Sequence, residues 1–166
     1  MSANTLRCMR PAGLALLAAL APGLPAIAAT ATSTFAVTAT VVATCTTSAT
    51  PLAFGNYPGA QTDAASAVTV TCTNTTPWTI TLDPGIATGA TVTARKMTGP
   101  AAALLAYGLF TDAARTTNWG NTVAPNVVSG TGNGNAQANP VYGRIAAGLF
   151  VAPGGYTDTI TATVTY

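Results

Sequence analysis

The run YTDTITATVTY, residues 156–166, alternates without a slip. Thr157, Thr159, Thr161, Thr163 and Thr165 fall on one side, and Tyr156, Asp158, Ile160, Ala162, Val164 and Tyr166 on the other. A period of two is the mark of a strand with one face against a core and one against water. The same pattern returns wherever turn residues pause. AVTVTC (67–72) sets Val68, Val70 and Cys72 against Thr69 and Thr71, and PWTITL (77–82) sets out Trp78, Ile80 and Leu82 before the turn Asp83-Pro84-Gly85. ATVTARKM (90–97), LLAYGLF (104–110) and a segment around 140–147 read as further strands. Only GPAAALLA (99–106) has a helical composition, and it lacks an N-cap. Short strands, frequent turns and a single pair of cysteines beyond the first residues predict an all-β chain, an antiparallel β-sandwich of immunoglobulin type.

A second alternating run lies near the other end. In STFAVTATVVATC (33–45), Phe35, Val37, Ala39, Val41 and Ala43 share one parity, while Thr34, Thr38, Thr40 and Thr44 share the other. It follows a leader-like stretch, with Arg7 and Arg10 ahead of an apolar run broken by Pro22, Gly23 and Pro25. Ala26-Ile27-Ala28 supplies the small residues that signal peptidase accepts, so residues 1–28 read as a secretory signal peptide. The run is too short to span a bilayer.

Removing the leader changes the charge. Arg95, Lys96, Arg115 and Arg144 then balance Asp63, Asp83, Asp112 and Asp158. A neutral, sparsely charged domain gives no footprint for nucleic acid and no attraction to an anionic membrane. Cys8 departs with the leader, which leaves Cys45 and Cys72 in an oxidising compartment. Their spacing is neither a redox C-x-x-C nor a zinc pattern, and the chain contains no His, so they read as a structural disulfide. Closing a loop of about 27 residues is worth roughly 3–4 kcal/mol in the chain-entropy account.

Chemistry finds few handles. The chain has no His and no Glu, and nothing pairs a nucleophile with a base, so no enzymatic activity, metal or cofactor is expected. GTGNGN (130–135) is followed by neither a helix pattern nor a Lys and reads as a flexible hairpin loop. Arg95-Lys96 reads as two solvated charges at a strand end, and Asn74-Thr75-Thr76 matches the glycosylation sequon with nothing beside it. Trp78 shares its parity with Ile80 and Leu82 and belongs to the core. Trp119, in TTNWGNT, sits among turn residues and is the candidate for surface binding.

Taken in order, the arm ending at Cys45, LAFGNY (52–57), VTVTCTNTTPWTITLDPG (68–85), ARKM (94–97), LAYGLFTD (105–112), NWG (118–120), VYGRI (141–145) and GGYTDTITATVTY (154–166) resemble the spore coat protein U domain family. That family includes subunits of archaic chaperone–usher pili. The resemblance implies an incomplete sandwich over residues 29–166, lacking its final strand and completed by a donor strand from a neighbour. It implies an N-terminal donor arm at 29–44, with Phe35, Val37, Ala39 and Val41 as donor-strand residues. The edge of the acceptor groove would then be Tyr156, Ile160, Ala162, Val164 and Tyr166. It also implies partners: other copies or related subunits, a periplasmic chaperone and an outer-membrane usher. Secretion would run through the periplasm to the cell surface, with no membrane insertion after signal cleavage. Neither alternating run contains Lys, Arg, Glu or Pro, the usual guards of a strand edge, which fits pairing with another chain. Three other readings stay open: a spore or cyst coat protein, an adhesin touching sugar or surface through Trp119, and a self-complete sandwich whose arm joins its own sheet.

Overall fold

A computed structural model describes residues 27–122 and 126–166. The chain divides into a short N-terminal unit ending at Ala39 and a unit from Thr40 to Tyr166. Residues 27–44 form no helix or strand, and every one of them is exposed. The strand expected over Ser33–Cys45 therefore begins only at Cys45. Strands are held by ladder partners rather than by alternation alone, and the first pairing comes only where Thr44 O accepts from Thr73 N–H at 3.0 Å, next to the Cys45–Cys72 pair. Residues 1–26 of the expected leader lie outside the described residues.

From Thr40 onward the described residues form strands joined by turns and irregular segments. The strands are β1 (Cys45–Ala49), β2 (Thr62–Cys72), β3 (Pro77–Leu82), β4 (Arg95–Thr98), β5 (Leu104–Phe110), β6 (Val128–Thr131), β7 (Ala136–Ile145) and β8 (Ala162–Thr165). They form a five-stranded sheet in the order β1-β2-β7-β5-β4 and a three-stranded sheet in the order β6-β3-β8, with every pairing antiparallel. The class is an immunoglobulin-like antiparallel β-sandwich. Alternation built it as expected. Val68, Val70, Leu105, Tyr107, Leu109, Val141 and Ile145 of the larger sheet meet Trp78, Ile80 and Leu82 of the smaller one in a single buried cluster. Cys45 and Cys72 stand opposite one another in the β1–β2 register and are joined as a disulfide. The helical composition near residue 100 yields one 3-10 turn, Pro100–Ala102. Ala101 and Ala102 take φ of 50° and 61°, which ends the turn and sends the chain into β5.

Several expectations need correction. The terminal run is not one strand over 156–166. Thr157 exchanges backbone hydrogen bonds with Thr98, the last residue of β4, at 2.8 and 3.0 Å, whereas Ala162–Thr165 pairs with β3 in the other sheet. The chain changes sheet in between, and Asp158 and Thr161 of the crossing are tied by bonds described below. The strand expected at 90–97 is shortened to β4, preceded by a tight Thr91–Ala94 bridge. The Gly-Asn segment is not a hairpin: Gly130 and Thr131 belong to β6, and residues 132–135 carry the chain across to β7 in the opposite sheet.

Arg95 and Trp119 are both wholly buried, not a solvated charge and a surface aromatic. The reason is one polar knot. Arg95 donates from Nε to Asp83 O (2.9 Å), from Nη1 to Val92 O (2.7 Å) and from Nη2 to Leu82 O (3.1 Å) and Trp119 O (2.7 Å). Trp119 Nε1 donates to Ile80 O at 3.1 Å. Both side chains serve backbone carbonyls, those of Ile80 and Leu82 in β3 and those of Asp83, Val92 and Trp119 in the irregular segments.

Candidate functional site

Among the described residues the smaller sheet has three strands, too few to cover the inner face of a five-stranded partner. Two things fill part of the deficit. After β1 the chain crosses that face, and Leu52 and Phe54 lie over Gly143, where any Cβ would meet both side chains at about 3 Å. Phe54 also packs edge-on against the Tyr107 ring, with centroids 6.0 Å apart. From the other side comes the crossing segment before β8. Between the two an open apolar groove of about 460 Å³ remains. Its floor includes Val68, Leu82, Leu109 and Val141, and its walls are Leu52 and Phe54 on one side and Tyr156, Ile160 and Ala162 on the other. A second depression of about 930 Å³, framed by residues 52–59 and 149–156, shares Leu52, Phe54, Met97 and Tyr156 with the first.

Three of the five expected groove-edge residues, Tyr156, Ile160 and Ala162, thus line the groove. Val164 is half-buried against the core beside it. Tyr166 is 58 % exposed and stands apart from the groove lining. β8 pairs with β3 along one edge, and its other edge is the end of the smaller sheet. In the N-terminal arm, Phe35, Val37 and Val41 are 86 %, 85 % and 86 % exposed, and Ala39 is exposed with them. Large apolar side chains so open to water lack the burial that would stabilise them.

One carboxylate lies in this apolar setting. Asp158 Oδ2 accepts from the Tyr107 hydroxyl at 2.7 Å, and Oδ1 accepts from the Ile86 N–H at 3.0 Å. Burial, reinforced by that hydrogen bond to Asp158, pushes the Tyr107 phenol well above its ordinary range, so it stays a donor. Burial also pushes the Arg95 guanidinium down, opposed by nearby Tyr107, Asp83 and Asp158. Neither shift makes an acid or base for work near neutrality. Among the described residues, no three of His, Cys, Asp and Glu gather as a metal site. Among the described residues the site offers shape, apolar surface and a strand edge without a ladder partner.

A model of the Spore Coat Protein U domain matches residues 31–163. The chain belongs to that family. No curated protein matches it in sequence. Among solved structures, this member of the family is similar to the CsuC–CsuE chaperone–tip adhesion subunit pre-assembly complex from archaic chaperone-usher Csu pili of Acinetobacter baumannii. The match has 22 % identity and a TM-score of 0.56, and it covers 76 % of this chain and 40 % of that one. At that identity the likeness concerns the fold alone.

Leu52 and Phe54 were not marked as site residues by sequence reasoning, although Leu52 and Phe54 share a parity in LAFGNY. That short alternation was the available signal. Asp158 was legible only as the one charge on an otherwise apolar parity.

Proposed function

We propose that this Spore Coat Protein U domain chain is a structural subunit of an archaic chaperone–usher pilus, assembled at the cell surface by donor-strand exchange. Residues 1–28 direct secretion, and the mature chain begins near Ala29. Phe35, Val37, Ala39 and Val41 of one copy enter the groove of the next and pair along the free edge of β8. Before assembly a periplasmic chaperone occupies the same groove, and an outer-membrane usher exports the subunit. The observation that carries this reading is the coexistence of an open apolar groove beside an unpaired strand edge with an exposed arm of matching alternation.

The physical terms favour it. Phe35, Val37 and Val41 each contribute roughly 1.5–3 kcal/mol on full burial, on the order of 5–9 kcal/mol together as an upper bound. Main-chain bonds along an added strand hold further, and alternate side chains set the register. The test is to delete residues 29–40 and titrate in a synthetic peptide spanning 29–44. The expected result is stoichiometric binding with a raised melting temperature. A truncated chain that is a stable monomer and ignores the peptide overturns the reading.

A further inference from the structure

The terminal alternation places Asp158 on its apolar side, a choice that filling a groove does not explain. Its surroundings do. Where the chain crosses from the larger sheet at Thr157 to the smaller one at Ala162, it runs beside the turn that follows β3, and the two segments trade side-chain bonds. Asp158 Oδ1, on the crossing segment, accepts from Ile86 N–H of the turn at 3.0 Å. Asp83 Oδ1, on the turn, accepts from Thr161 N–H of the crossing segment at 3.0 Å. Asp83 N–H closes the exchange on Thr161 O at 3.1 Å. Each aspartate therefore satisfies a backbone donor that no ladder serves. Asp158 Oδ2 extends the contact to the larger sheet through the Tyr107 hydroxyl at 2.7 Å. Gly85, with φ of +88°, is where the turn comes against Asp158, since a Cβ there would collide with the carboxylate.

We infer that Asp158 and Asp83 form a reciprocal clasp that positions the acceptor edge, with Asp158 as a positioning residue for donor-strand capture. The inference rests on the donor-strand reading above. Ile160 and Ala162 line the groove immediately beyond the clasp, and Tyr156 lines it immediately before. Without the clasp, nothing in the alternation forces a change of sheet, because a period-two run serves one sheet as well as the other. The segment then shifts toward continuous pairing, and the wall that meets the arm moves with it. A preformed edge spares the incoming strand the ordering cost that binding otherwise bears.

The test uses the full chain, isolated as monomer, with a fluorescent peptide of residues 33–44 as probe. Stability is read from urea unfolding, and affinity is measured where each variant is folded. Losing a hydrogen bond to a charged group is worth about 10- to 100-fold in binding when that bond shapes the site. Asp158→Ala is therefore expected to weaken peptide binding by about tenfold or more. Asp158→Asn, which keeps an acceptor for Ile86 N–H, is expected to recover most of the affinity. Asp158→Ala with lowered stability and unchanged peptide affinity overturns the inference, since that is what a merely structural bond would give. If Asp158→Ala does not fold, Tyr107→Phe decides, because it keeps the ring packing and removes one bond to Asp158: weaker binding supports the clasp, and unchanged binding overturns it. Failure of the unaltered chain to bind the peptide defeats the donor-strand reading itself and is thereby distinguishable from failure of the clasp.

Discussion

Replacing Arg95 by Met is the sharpest test of how this sandwich is held together. Arg95 is fully buried, and its four hydrogen bonds all end on backbone carbonyls, those of Leu82, Asp83, Val92 and Trp119. Buried charges are usually weak stabilisers, because desolvation offsets attraction and an apolar pair of the same shape does as well. Here the partners cannot be replaced, since they belong to the backbone. Removing the donor orphans at least Leu82 O and Trp119 O, whose bonds are the buried ones. Each orphan costs about 1–3 kcal/mol, and the general penalty for stripping one partner from a buried charged contact is about 3–5 kcal/mol. Arg95→Met is thus expected to lose about 3–5 kcal/mol, a large part of a typical domain's stability of about 5–15 kcal/mol. In urea, with a slope of about 1–3 kcal/mol per molar, the midpoint falls by roughly 1–5 M. Arg95→Lys should recover little, because one ammonium nitrogen cannot stand where Nε, Nη1 and Nη2 stand together. A loss below about 1 kcal/mol for Arg95→Met would refute the account, since the carbonyls would then have to find other donors.

Three further outcomes follow from the same geometry. Replacing Cys45 or Cys72 by Ser opens the bridge across β1 and β2 and is expected to lower stability by about 3–4 kcal/mol; alkylation of both thiols in unreduced folded protein would contradict the pairing. Val37→Arg, on an exposed position of the arm, should leave the isolated domain's unfolding midpoint unchanged and abolish capture by a second copy, because it carries an unpaired charge into an apolar groove; unfolding of the isolated domain would instead place the arm in its own sheet. Acid should destabilise the fold from one direction only. Asp63 is held below its ordinary 3.8 chiefly by its hydrogen bonds with Arg144, at 2.8 and 2.9 Å, and Asp112 chiefly by the backbone N–H groups of Thr117 and Thr116. Depressed folded values mean that the contribution is present above about pH 4 and is lost as pH falls through them. With no His in the chain, melting temperature should stay flat from about pH 5 to 8 and fall below about pH 4; a midpoint near neutrality would contradict this.

The core was legible because burial on a strand is a matter of parity, and parity is written in sequence. Val68, Val70, Trp78, Ile80 and Leu82 were all on the apolar side of their runs, and all are buried. The Cys45–Cys72 pair was legible from the arithmetic of two cysteines. Arg95 and Trp119 were not, because their burial depends on carbonyls supplied by segments far away in the chain, Trp119 O for the one and Ile80 O for the other. A charged residue at a strand end looks the same whether water or four carbonyls receive it.

The same limit explains why the groove was read from its edge and not from its walls. Alternation at Tyr156–Tyr166 says which side chains point inward but not which sheet receives each half of the run. That choice is made by Thr98 pairing with Thr157, and by two aspartates that accept one another's neighbouring N–H groups. These are contacts at separations of 59 to 78 residues, and no local pattern encodes them. The far wall has a parallel history, since Leu52 and Phe54 gain a place only because Gly143 leaves room above β7. An open site arises here from a deficit, three strands set against five, and a deficit has no residues of its own to be read in advance. It becomes visible once the strands are counted sheet by sheet. Under the donor-strand proposal, that apolar groove is the surface which the exposed alternating arm of another copy would fill.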